Sequence, residues 1–197
     1  MDDNNRLKNA KESSEKFVKS VLGDNADGSN SNNRLALVTF SGDKEGNMEI
    51  GNEIKYGLKN YKSQENILQT IKNLSSKGGT DYDYAFDAAN AILDSADDDR
   101  PKFIVFMTDG APSTFTKNND NKTYSWFNYR QNESKFASDV MGNDNMPYLK
   151  GAEIAKNKAT VYSIGFGLTY NGTNNGFAST QVKTILKNIA SKESCSI

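Results

Sequence analysis

The sequence predicts an α/β fold, a largely parallel sheet covered by helices on both faces, and three observations carry that expectation. Three short runs are almost continuously apolar, at Leu35–Phe40, 103–107 and 161–166, without the alternation of a strand that is half in water. Segments with apolar residues at helical spacing separate them. No internal repeat is present and no Pro- or Gly-rich linker divides the chain, so the alternation runs through a single unit.

The elements follow in order. Leu7, Ala10, Ser14, Phe17, Val18, Val21 and Leu22 recur at helical spacing, so residues 5–22 form an amphipathic helix. A polar loop rich in Gly and Asn spans 23–33, and 34–40 is the first buried strand. Residues 48–58 alternate about Gly51-Asn52 (Met48, Ile50, then Ile54, Tyr56), which predicts an antiparallel hairpin at a sheet edge. Ile67, Leu68, Ile71 and Leu74 mark a second helix. Ala85, Ala88, Ala89, Ile92, Leu93 and Ala96 mark a third, whose small residues let it lie close to a sheet and which Pro101 stops. Residues 102–108 are the second buried strand, 148–158 a helix, 160–167 the third strand and 181–191 a last helix.

Composition narrows the chemistry. The 197 residues fit one compact domain and carry a formal net charge of −1, so there is no electrostatic case for nucleic acid or an anionic membrane as partner. No apolar run approaches the roughly 18 residues of a membrane span, so direct membrane insertion is not expected. Histidine is absent, which removes the commonest general base and the commonest transition-metal ligand. The single cysteine, Cys195, allows neither an internal disulfide nor a multi-cysteine zinc site. Any bound metal would be a hard cation held by oxygen, such as Mg²⁺, Mn²⁺ or Ca²⁺.

In sheets of this kind ligands gather at the carboxyl ends of the strands. Three segments stand there: Ser41-Gly42-Asp43, Asp109-Gly110-Ala111-Pro112-Ser113, and Gly165-Phe166-Gly167. A further loop, Gly78-Gly79-Thr80-Asp81-Tyr82-Asp83, opens the third helix. Thr80 or Asp81 is a natural N-cap there, and Asp109-Gly110 reads equally as an ordinary turn or as a carboxylate held at a sheet edge.

Four segments in this order and spacing resemble the von Willebrand factor A domain family: 35–41, Gly78-Gly79-Thr80-Asp81, 103–113 and 159–167. The resemblance covers the chain from Arg6 to about Ser191 and implies a Rossmann-like three-layer sandwich with one antiparallel edge strand. It also implies a metal-ion-dependent adhesion site, with Thr80 and Asp109 as ligands of Mg²⁺ (or Mn²⁺ or Ca²⁺) in the complete domain. Ser41, Gly79, Asp81 and Gly110 would join them on the ligand face. The family's Asp-x-Ser-x-Ser motif and the strand before it have no counterpart here. The stretch from Met1 to Leu7 resembles the segment that comes directly after that motif in the family. The expectation is therefore a single domain, 1–197, truncated at its start and lacking a last strand after Ser191. Without the first strand, the strands at 34–40 and 102–108 would lose a ladder partner, each unpaired buried group costing about 1–3 kcal/mol. Strand exchange or dimerisation would repair that, and this chain alone is expected to bind Mg²⁺ weakly or not at all.

An insertion at 114–146 places Tyr124, Trp126, Phe127, Tyr129 and Phe136 among Asn, Lys and Ser. Tyr124, Trp126 and Tyr129 are candidate recognition residues, and the alternative is a satellite cluster that packs the loop down, the reading favoured for Phe127 and Phe136. Large insertions here resemble those of Gram-positive pilus-tip adhesins, which implies an extracellular protein on a bacterial surface or pilus. The leading function is therefore non-catalytic binding of a host or matrix protein. The alternatives are a structural pilus or cell-wall domain, and a Mg²⁺-dependent hydrolase using Asp81, Asp83 and Asp109.

Overall fold

The computed structural model describes residues 5–23, 33–41, 52–59, 65–76, 79–129, 132–143, 145–169 and 171–196. Gly78, most of the loop at 23–33 and the Met48 to Gly51 half of the expected hairpin lie outside them. Helix α1 (Arg6–Leu22) leads to strand β1 (Leu35–Phe40), which pairs antiparallel with β2 (Asn52–Lys59). Helices α2 (Glu65–Lys72) and α3 (Tyr82–Asp94) follow, then β3 (Phe103–Thr108). A short hairpin, β4 (Thr114–Thr116) with β5 (Thr123–Ser125), precedes α4 (Glu133–Met141) and α5 (Lys150–Lys156). Strand β6 (Thr160–Gly165) runs parallel to β3, in register from Phe103 opposite Thr160 to Thr108 opposite Gly165, and α6 (Ser179–Ile189) closes the order.

The α/β expectation holds, with helices on both faces, but the sheet departs from a continuous parallel one. Among the described residues β1 pairs only with β2 and β3 only with β6, so no ladder joins β1 to β3. All six residues of β1 are half-buried rather than buried, in keeping with a strand that pairs on one side only among the described residues. Asn52 is not a turn residue. It opens β2 opposite Phe40, so the hairpin partner of 52–59 is β1 itself.

Among the described residues, an ion-pair cluster and a ring stack join β1 to the β3 side where no ladder does. At one end Arg34, just before β1, pairs with Asp97 at 3.5 Å and with Asp98, which also takes hydrogen bonds from Arg100. The Arg100 hydrogen bond and the two guanidinium charges hold the Asp98 carboxyl below its ordinary range. At the other end the ring of Phe40 stacks on Phe106 of β3, centroids 5.3 Å apart. Phe106 also stacks on Phe86 at 5.1 Å and meets Tyr82 edge-on at 5.0 Å, both from α3.

The core forms as two clusters. The larger gathers α3, α4, α5 and α6 against one face of β3 and β6, around Phe86, Phe106, Phe136, Val161 and Leu186. The smaller packs Val18 and Leu22 of α1 against Ile67 and Ile71 of α2, with Leu35 and Leu37 of β1 beside them. Alternation along β1 accounts for this, since Leu35 and Leu37 face α1 and α2 while Phe40 faces α3. Helix α4 was not anticipated in the polar insertion, although Phe136, Ala137, Val140 and Met141 form one buried helical face. Beyond α6, Ser196 makes a parallel bridge to Ser163 of β6, where a strand after Ser191 was expected to be lacking.

Candidate functional site

The carboxyl ends of β1, β3 and β6 converge on the turn at Asp109-Gly110. Thr108 ends β3 buried, and its hydroxyl bonds within the turn, donating to the Gly110 carbonyl at 3.3 Å. From α3, the Tyr82 hydroxyl donates to the same carbonyl at 2.7 Å. Gly110 is itself buried, so this predicted face residue supports the surface from beneath.

The Thr80 loop is fastened to the turn by one serine. The Ser113 amide donates to the Thr80 carbonyl at 2.7 Å. The Ser113 hydroxyl donates to that carbonyl and accepts from the Thr80 amide, each at 2.9 Å. Asp81, one residue on, bridges Thr114 and is 2% exposed. Its carboxylate accepts the Tyr84 amide at 3.1 Å and caps α3, which settles the capping alternative in favour of Asp81 over Thr80. Gly79, Thr80 and Asp109 are half-buried and reach the surface, and Ser41 follows Phe40, whose ring lies 6.5 Å from Tyr82.

Three residues at this face were not anticipated. Asn174 Oδ1 accepts the Ala111 amide at 3.2 Å, and Asn175 donates to the carbonyls of Ala111 and Pro112 at 3.2 and 3.4 Å. Asn175 and Gly176 both have positive φ, and a β-carbon on Gly176 would lie 2.0 Å from the Glu133 carbonyl oxygen. Only glycine lets that loop press against α4. The third is Arg6, whose Nη1 lies 3.8 Å from Asp109 Oδ2.

The predicted aromatics divide differently from expectation. Tyr124, Trp126 and Tyr129 all pack against the larger core cluster, as a satellite does. Tyr124 donates to Asp120 at 2.7 Å and Tyr129 to Asp139 at 2.8 Å. Burial, then the Asp120 hydrogen bond, push the Tyr124 hydroxyl up to about 12, so it stays a donor. The Lys135 hydrogen bond, with that from Tyr129, holds the Asp139 carboxyl below its ordinary range. The Trp126 amide donates to the Ser113 carbonyl at 2.9 Å, which joins the insertion to the Thr80 loop.

A hard cation asks for several converging oxygens, carboxylates above all. The described residues hold no group of three or more acidic, histidine or cysteine side chains able to grip a metal. Asp81 is spent on the helix cap, Asp83 bonds Thr116, and a guanidinium stands beside Asp109. The described residues therefore do not fit a divalent ion, and Asp81, Asp83 and Asp109, the three carboxylates that a hydrolase would use, each have a different partner.

The von Willebrand factor type A domain model matches residues 1–111, more than half of the chain. The chain belongs to this family. Among solved structures it is similar to the vWF domain of the type V pili tip protein Mfa5 from Porphyromonas gingivalis, with TM-score 0.63, 15% identity, and 98% of this chain and 82% of that one covered. The pilus adhesin SpaC from Lactobacillus rhamnosus GG gives TM-score 0.66 at 14% identity over 98% of this chain, which spans 26% of SpaC. Proximal thread matrix protein 1 of the mussel byssus, solved with a zinc-occupied MIDAS motif, gives TM-score 0.51 at 20% identity, with 98% and 36% covered. No curated protein matches the chain. At such identities these likenesses to a vWA fold speak for architecture alone.

Proposed function

We propose that this vWA domain is a non-catalytic protein-binding module of a bacterial surface or pilus protein, and that it binds a host or matrix protein through the face around Thr80 and Asp109. The observation that carries the reading is the convergence of three strand ends on one braced, partly open turn. Tyr82 of α3, the Thr80 loop through Ser113, and the Asn174-Asn175 loop all fasten that turn. Such preorganisation favours a binding surface, because little ordering is left to be done when a partner docks. The insertion flanks the face through the Trp126–Ser113 bond and gives Asn128 to solvent. The likeness to Mfa5 and SpaC supports the pilus setting.

The test is surface plasmon resonance of the chain against a panel of purified extracellular-matrix proteins, run in EDTA and in Mg²⁺, beside a generic phosphoester turnover assay. Saturable binding at micromolar concentration or below to at least one protein, with no turnover, is expected. Turnover without binding would move the domain to the hydrolase reading, and neither signal would favour a structural pilus role.

A further inference from the structure

Arg6 opens α1, yet its guanidinium lies at the turn that ends β3. Its side chain is 28% exposed and that of Asp109 is 15% exposed. The path between them is shaped by a glycine with φ +60°: a β-carbon on Gly167 would stand 2.7 Å from Arg6 Nε and 3.2 Å from Cδ and Cζ. A side chain at 167 would displace the Arg6 guanidinium from this position at the end of β6, and the bare glycine leaves it room. Beside it, Thr80 Oγ1 and Asn174 Oδ1 each lie 3.7 Å from where a β-carbon on Gly110 would stand. These oxygens approach Gly110, the residue after Asp109, and the Asp109 carboxylate is the group there that carries a full negative charge, with the Arg6 guanidinium 3.8 Å away.

We propose that Arg6 is the resident cation of this face, a tethered guanidinium that does for Asp109 what a divalent ion would otherwise do. A guanidinium stays charged at any physiological pH, and no binding equilibrium is needed to keep it there. The same charge works against a second cation, since like charges a few ångströms apart repel even at a wet surface. The proposal shares the face with the binding reading, but not its partner.

A double-mutant cycle on the 197-residue chain tests it. Arg6→Gln, Asp109→Asn and the double variant are unfolded in urea, each in EDTA and in millimolar MgCl₂. The expected coupling is about threefold in the unfolding equilibrium constant, in keeping with a partly exposed pair. The wild-type midpoint is expected to be the same in both buffers. Additive single effects overturn the proposal, and so does a wild-type midpoint that rises with Mg²⁺. Arg6→Lys, which keeps the charge, is expected to lie nearer the wild type than Arg6→Gln in EDTA, and equal loss in the two contradicts the proposal even where Arg6→Gln folds poorly. No ligand enters this experiment, so its failure is separable from failure of the binding reading.

Discussion

Phe106→Ala is expected to lower the stability of this domain by about 3–5 kcal/mol, the usual range for emptying a buried aromatic site. Phe106 is 4% exposed and touches rings from β1 and α3 at once. Its loss leaves a cavity and also severs the ring stack that ties β1 to β3 in place of a ladder. Small domains hold only about 5–15 kcal/mol in reserve, so much of the chain's stability rests on this ring. Urea denaturation followed by circular dichroism measures it. Phe103→Ala is the control, because Phe103 is on the same strand but 62% exposed, and its change should stay within about 0.5 kcal/mol. Equal effects from the two substitutions would contradict the ring stack as the tie between β1 and β3.

The second large effect concerns Asp83, in the first turn of α3. Its Oδ2 is enclosed without a hydrogen-bond partner, while Thr116 supplies hydrogen bonds from side chain and backbone. Burial raises its pKa to about 6, with the nearby Asp87 charge adding and Thr116 opposing. The folded chain thus holds this proton more tightly than the unfolded chain does. Stability contributed by the protonated form is fully present below the unfolded value near 4 and falls as pH rises to about 6. The cost at neutral pH is at most about 3 kcal/mol, from roughly two pH units at 1.36 kcal/mol each. Asp83→Asn removes the charge and keeps an acceptor for Thr116. It is expected to stabilise the domain by on the order of 1–2 kcal/mol at pH 7 and by little at pH 4. Asp98, Asp139 and Glu193 have lowered pKa values and act in the opposite sense in acid, but they are common to both proteins and cancel in the comparison. A gain of the same size at both pH values would rule out ionisation as its cause.

The strands and long helices were legible because their signals are local. Continuous apolar runs gave β1, β3 and β6, and helical spacing gave α1, α3 and α6 to within a few residues. The Thr80 loop and the Asp109 turn were legible as strand-end segments in a fixed order. Helix α4 is hidden in the sequence because Asn, Ser and Asp around Phe136 and Val140 mask a short apolar face. The roles of Asn174 and Asn175 carried a signal in Asn174-Asn175-Gly176, turn chemistry downstream of β6. Arg6 carried none. Its meeting with Asp109 joins residues 103 positions apart, and no local pattern in sequence announces such a contact.

Asp109→Asn tests the location of the binding face most directly. Binding to the matrix protein selected from the panel is measured for the wild type, for Asp109→Asn and for Lys158→Gln. Lys158 pairs with Asp94 at the opposite end of the strands. All three proteins are first shown to be folded. At least tenfold weaker binding is expected for Asp109→Asn, about 1.4 kcal/mol, with Lys158→Gln unchanged. Unchanged affinity in Asp109→Asn, or equal loss in both variants, would place the ligand elsewhere on the domain.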